Sequence, residues 1–225
     1  MTAEVQTHPT TIATWLTEEL TDAIVTGAIE AGEKIREPDL AKRYDVSRGP
    51  LREAIRRLEG RGLVKHVPHA GVRVVTLDPE EVVELYAIRE ALEGMAAKLA
   101  AENMSDPEVE AMRNLLDEHE TAVQRSEGRE YFQQEGDLDF HYRIVQSSKN
   151  QKLIALLCGE LYHLVRMYRY RSSRTASRPQ RALTEHRRIL DAIAERDGEL
   201  AELLMRRHLS SARKSIAAQL EAPDE

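Results

Sequence analysis

Apolar residues recur at helical spacing near the start of the chain. Ile12, Leu16, Leu20 and Ile24 fall four apart and predict a helix over residues 11–28, with Gly27 and Gly32 bracketing its stop. A shorter helix is expected over Glu37–Tyr44, with Leu40 and Ala41 facing inward. Ser47 then offers an N-cap, and Pro50 is tolerated because a first helical turn has no intrahelical N–H bonds to lose. Leu51, Ala54, Ile55 and Leu58 form one stripe on the helix that follows, which Gly60 and Gly62 end. Two β-rich pieces come next, Leu63–Val67 and Val72–Val75. Pro68-His69-Ala70-Gly71 lies between them and reads as the tip of a hairpin.

The pattern changes near Thr76. Asp78-Pro79-Glu80-Glu81 combines a cap, a proline at the first helical position and acids in the first turn. No strand signal follows it. Six helices are predicted, near 79–102, 107–126, 130–147, 151–171, 179–196 and 199–220. Ser105-Asp106-Pro107-Glu108 repeats the start signal, Asp197-Gly198 separates the last pair, and the polar stretch Arg171–Pro179 reads as a loop. The expected fold is mainly α: a winged helix-turn-helix over 11–76, then an all-helical domain over 77–221. Residues 1–10 show neither a basic n-region nor an apolar h-region and are expected to form a disordered arm. No apolar run approaches the roughly 20 residues that span a bilayer.

Composition agrees with a helical protein: charged residues make up 32% and aromatics 4% of the 225 residues. Cys158 is the only cysteine, which excludes an intramolecular disulfide and suits a reducing cytoplasm. The net charge of −7 is unlike that of a DNA binder, but its distribution changes the picture. From Lys34 to Arg73 eleven Lys and Arg stand against five Asp and Glu, a local balance of +6. Within that stretch Arg48, Arg52 and Arg56 are spaced by four, on the side opposite the Leu51/Ile55/Leu58 stripe. An apolar back and an arginine front are what a major-groove recognition helix requires, since arginine pairs bidentately with guanine. Arg57 and Arg61 point elsewhere and are expected at the surface or on phosphates. The small hairpin tip can approach a minor groove, with Gly71 allowing close backbone contact.

This half resembles the DNA-binding domain of GntR-family regulators. The resemblance rests on Gly32-Glu33-Lys34-Ile35-Arg36-Glu37, Asp39-Leu40-Ala41, Val46-Ser47-Arg48-Gly49-Pro50-Leu51-Arg52-Glu53-Ala54 and Leu58-Glu59-Gly60-Arg61-Gly62-Leu63-Val64. It implies that Ser47, Arg48, Arg52 and Gly71 stand where the family touches DNA. Gly49 occupies a position more often held by threonine or another hydrogen-bonding residue.

A second constellation lies in the helical half. Asp137 and His141 are four apart, so one helix would present both to a single metal ion. His186 and His208 lie about equally far from Asp197-Gly198, so a helical hairpin there would bring them level. Isolated histidines on helices are usually surface or core residues, and His8, His66, His69, His119 and His163 read that way. Asp137-Leu138-Asp139-Phe140-His141, with Ile144 and Asn150, is similar to the signature of the FCD ligand-binding domain found in the FadR subfamily. Arg89-Glu90-Ala91-Leu92-Glu93, Glu185-His186 and Arg207-His208-Leu209 match its other landmarks. The resemblance implies an antiparallel six-helix bundle holding a metal on Asp137, His141, His186 and His208. Zn²⁺ is the default, with Ni²⁺, Mn²⁺ or Fe²⁺ also suited to nitrogen and oxygen ligands. Open coordination positions would admit a carboxylate effector, with Arg89 and Arg166 as its candidate partners. Asn150 reads as a helix cap.

Together these features predict a homodimeric, cytoplasmic transcription regulator, a repressor by the family's commoner mode. It would bind a pseudo-palindromic operator and respond to a small organic acid. Two other readings stand beside it. A helical metalloenzyme would use the same ligands to activate water, although no motif supplies a separate general base. A DNA-binding architectural protein would carry no effector.

Overall fold

The computed structural model describes residues 11–126, 136–173 and 178–221, so the expected arm lies outside the described residues. The chain divides into two units, Met1–Thr76 and Leu77–Glu225.

In the first unit three helices precede a two-stranded wing: α1 (Ile12–Val25), α2 (Glu37–Arg43), α3 (Arg48–Gly60), β1 (Val64–Val67) and β2 (Gly71–Val74). Thr11 starts α1 by accepting the Thr14 N–H on its hydroxyl. The buried face of α1 (Leu16, Leu20, Ile24) packs on that of α3 (Leu51, Ala54, Ile55, Leu58), which makes the core that positions α3. Arg57 and Arg61 take part in this packing rather than standing free. Arg57 donates to Thr14, and Arg61 donates to Thr21 and pairs with Glu18 at 2.7 Å, so both tie α3 to α1. Between α2 and α3 the chain reverses through Asp45, whose φ of 51° is left-handed.

The wing strands are antiparallel, pairing Val64 with Val74 and Val67 with Gly71. Val72 and Val74 are buried and alternate with exposed Gly71 and half-buried Arg73, the alternation of a half-buried strand. Gly71 has φ +84°, a conformation a side chain would strain, and it sits beside the stem of Lys34. Lys34 bridges to Arg73, and Ile35 donates to Val72, so the segment before α2 lies along the second strand.

The second unit is helical throughout its described residues: α4 (Pro79–Asn103), α5 (Asp106–Arg125), a 3₁₀ turn (Gly136–Leu138), α6 (Phe140–Ser147), α7 (Gln151–Ala155), a π-helical turn (Leu156–Glu160), α8 (Tyr162–Ser173), α9 (Arg178–Ala194) and α10 (Gly198–Glu221). Asp78 and Glu81 close a reciprocal capping box at the start of α4. α4 and α10 run antiparallel, with Glu90 facing Arg213 and Lys98 facing Glu199. Gly94 allows their close approach, because a Cβ there would lie 2.7 Å from Arg206 Cγ. α5 and α9 are also antiparallel, Arg113 pairing with Asp191 and Arg187 with Asp117.

Two expected helices are divided. The helix expected over 130–147 begins only at Phe140, because Asp139 adopts an extended conformation and caps α6 by accepting the His141 and Tyr142 N–H groups. Residues 130–135 lie outside the described residues. The helix expected over 151–171 is interrupted by the π turn, and Asn150 caps its first segment as expected, accepting from Lys152 and Leu153.

Candidate functional site

On the first unit, α3 presents Arg48, Arg52 and Arg56 to solvent on the side opposite its buried stripe. Arg52 Nε donates to Glu37 Oε2 at 2.9 Å, and Arg56 pairs with Glu53. Both arginine side chains are largely exposed, at 67% and 75%, so these pairs are weak and easily exchanged for a stronger anionic partner. Ser47 occupies the N-cap position of α3, yet its side chain makes no cap hydrogen bond. Gly71 is exposed at the base of the wing tip.

The second unit gathers three of the expected metal ligands from three helices. His141 on α6, His186 on α9 and His208 on α10 are all buried, and each offers a ring nitrogen within 4.8 Å of the others'. His186 Nε2 and His208 Nε2 are 3.3 Å apart. The symmetry of His186 and His208 about Asp197-Gly198 is realised by the α9–α10 hairpin. Phe140 stacks on the His186 ring at 4.2 Å and walls that side of the cluster with an apolar face.

Asp137 lies in the 3₁₀ turn ahead of the α6 cap. It therefore does not share an α-helix with His141, and its side chain lies outside what the structure describes.

Two carboxylates back this cluster, and neither was singled out by spacing. Glu93 Oε2 lies 2.6 Å from His141 Nδ1, and Glu185 Oε2 lies 2.7 Å from His208 Nδ1. Burial works to raise the Glu93 carboxyl, but Arg89 and His141 beside it hold it well below the usual carboxylate range. Burial lowers His141, with Glu93 opposing only in part, so the ring is neutral near pH 7. An ionised carboxylate only accepts, so the single ring proton of His141 sits on Nδ1 and the Nε2 lone pair is free. Three imidazoles converging in a buried site suit a borderline divalent cation such as Zn²⁺.

Arg89 is fully buried on α4. Its Nε donates to Glu93 Oε1 at 2.8 Å, and Nη1 and Nη2 have no hydrogen-bond partner among the described residues. Arg166 is buried on α8 with its guanidinium 5.8 Å from the centre of the Tyr162 ring. The same Tyr162 accepts the Gly136 N–H at 2.7 Å. Asp139, also buried, is gripped by Arg169 of α8. Burial works to raise the Asp139 carboxyl, but Arg169 holds it below its ordinary value. His119 and His163 are buried as well, and His119 Nε2 donates to the Leu138 carbonyl at 3.1 Å.

Comparison with known proteins places both halves of the chain in known domain families. Residues 13–74 match the bacterial regulatory proteins of the gntR family, and residues 84–211 match the FCD domain. The HTH-type transcriptional regulator YdhC of Bacillus subtilis is 33% identical over 187 residues, covering 82% of this chain and 81% of its own. The HTH-type transcriptional repressor RspR of Escherichia coli is 30% identical over 217 residues, covering 96% and 94%. The solved structure of a GntR transcriptional regulator from Rhodococcus sp. RHA1 superposes with a TM-score of 0.71 at 25% identity, over 92% of this chain and 97% of that one. These relatives are transcriptional regulators, not enzymes, and no helix among the described residues is long and apolar enough to cross a membrane. The chain belongs to the GntR family of transcriptional regulators, in the FadR-like branch that carries a C-terminal FCD domain.

Proposed function

We propose that this regulator is a homodimeric, cytoplasmic repressor whose operator affinity is set by a small carboxylate bound beside a divalent metal ion. The observation that carries the reading is the buried triad His141, His186 and His208 next to Arg89, which holds two desolvated guanidinium nitrogens with no hydrogen-bond partner among the described residues. A buried cation without full hydrogen bonding is costly, and a bidentate carboxylate satisfies both nitrogens together. His141, His186, His208 and Asp137 would hold the metal, Zn²⁺ by donor type, and the ion would supply a Lewis-acid partner for the effector's carboxylate. Arg166 is the second candidate for the effector. The E. coli relative named as a repressor supports the sign of regulation. On the first unit Arg48, Arg52 and Arg56 read the major groove, Ser47 contacts a phosphate and Gly71 brings the wing close to the backbone. One such head binds each half of a pseudo-palindromic operator.

The test combines metal content with operator binding. Purified full-length protein is expected to hold about one divalent ion per chain by mass spectrometry, and His186→Ala with His208→Ala to lose it while DNA binding persists. An operator selected from random-sequence DNA should be released by one member of a panel of small carboxylates, and chelation should abolish that response. Metal at parent level in the double variant would refute the ligand set. Operator affinity indifferent to chelator and to every acid would leave only a structural metal.

A further inference from the structure

The site contains the same three-residue arrangement twice. On α4, Arg89 and Glu93 are four apart, and Glu93 accepts from Arg89 Nε through Oε1 and faces His141 Nδ1 through Oε2. On α9, Arg181 and Glu185 are four apart, and Glu185 accepts from Arg181 Nε at 2.9 Å through Oε1 and faces His208 Nδ1 through Oε2. In both, an arginine one turn earlier orients the carboxylate, and the second oxygen engages a histidine on another helix. The two differ in setting. Arg89 and Glu93 are buried, whereas Arg181 is 67% exposed and Glu185 20%.

We propose that Glu93 and Glu185 are the positioning residues of the metal centre: each fixes its histidine in the Nδ1-protonated tautomer, so that Nε2 of His141 and Nε2 of His208 are presented as metal donors. This rests on the metal reading above. A neutral imidazole has one proton and two nitrogens, and an unconstrained ring commits neither of them. A carboxylate behind Nδ1 commits it, holds the ring angle and raises the basicity of Nε2. His186 Nε2 lies 3.3 Å from His208 Nε2, so the His208 nitrogen that faces the rest of the cluster is the one turned away from Glu185.

The buried arrangement has a further consequence. Glu93 joins His141 to Arg89, so a carboxylate seated on Arg89 Nη1 and Nη2 acts on the metal through one intervening side chain. On α9, Glu185 accepts from Arg181, which is 67% exposed. Effector and metal are thereby coupled along α4.

Glutamine separates these roles. Its amide has one acceptor and two donors, so it cannot accept from arginine Nε and from histidine Nδ1–H on separate atoms, as a carboxylate does. An NH₂ turned to the ring favours the other tautomer, which places the proton on Nε2.

The test uses full-length, metal-free protein with Zn²⁺ alone as the probe, competed against a chromophoric chelator. Glu185→Gln is expected to bind Zn²⁺ about 10–100-fold more weakly than the parent, and Glu93→Gln at least as weakly. Nitrogen-15 histidine spectra of the metal-free chain should show His141 and His208 protonated at Nδ1 in the parent, and His208 no longer so in Glu185→Gln. Glu185 is at the margin of the site, so its variant carries the test if the buried Glu93→Gln chain does not fold. A folded Glu185→Gln chain with parental affinity and an unchanged His208 tautomer would overturn the assignment. A parent chain that takes up no Zn²⁺ would overturn the metal reading and the metal-positioning role with it. That failure is distinguishable from the first, since tautomers are read without metal.

Discussion

At the scale of single residues, the second unit is organised by buried ion pairs, Arg89 with Glu93 and Arg169 with Asp139. Asp139 is fully buried and accepts from two backbone N–H groups and from Arg169, whose side chain is 15% exposed. Removing one partner of such a pair leaves a charge in the interior and typically costs about 3–5 kcal/mol. Arg169→Met is therefore expected to lower unfolding stability in urea by that amount, with Asp139→Asn in the same chain recovering part of it. A loss under about 1 kcal/mol would mean that water reaches Asp139 and that α6 does not depend on this pair. The histidines of the site were legible in sequence because ligand-type residues are few and their spacing about the Asp197-Gly198 turn is informative. Glu93 and Glu185 were not legible by spacing, since 39 acidic residues are spread along the chain. What distinguishes these two is the arginine four positions earlier and a histidine brought from elsewhere by the fold, and only the first of these is visible in sequence. The partners of Arg57 and Arg61 were not legible for a related reason. Thr14, Glu18 and Thr21 lie about forty residues away, and only the packing of α1 on α3 makes them neighbours.

At the scale of elements, starts were more legible than interiors. α4 and α5 begin at the expected proline-containing turns because a cap is a local interaction, decided within four residues. The π turn was missed because apolar residues continue across it. Leu153 and Leu157 are four apart, but the next buried apolar position is Tyr162, five further on. That single added residue is the turn's signature, and it keeps the apolar side of α8 facing inward after the interruption. The caps also make a pH prediction. The Ser105 N–H, then its hydroxyl, then Lys149 hold the Glu108 carboxyl down to about 2. A folded value below the ordinary 4.5 means that this cap contributes fully above pH 4.5 and is lost as pH falls towards 2. The difference in unfolding midpoint between the parent and Glu108→Gln should accordingly be constant from pH 7 to 5 and shrink below. A difference that stays constant to pH 3 would rule out the carboxylate as its source.

At the scale of the whole molecule, a net charge of −7 coexists with a segment of +6, so DNA affinity is governed by a local field rather than by the total. Affinity for random-sequence DNA should fall steeply with salt, in line with release of counterions from the contacted phosphates. Arg52→Ala is expected to reduce operator affinity more than random-DNA affinity, by about 1–3 kcal/mol of discrimination, in anisotropy titrations. Equal losses on the two DNAs, with the salt slope reduced by about 0.9, would make Arg52 a phosphate contact instead. The division into two units at Thr76 was legible because the hydrophobic period changes there from mixed to purely helical.

The second unit begins with a contact that spans most of its length. The Leu77 N–H donates to the hydroxyl of Tyr168, a buried residue of α8, at 2.7 Å. On the same helix, Arg166 and Arg169 flank Tyr168 within two residues. The first backbone amide after the domain boundary is thus closed by the helix that also carries an effector candidate and the grip on Asp139. Its exchange with deuterated solvent becomes a clock for α8: slow while the helix is seated, and faster by the frequency with which it lifts. One resolved peptide spanning Leu77 would report, at the start of the second unit, on events at α8.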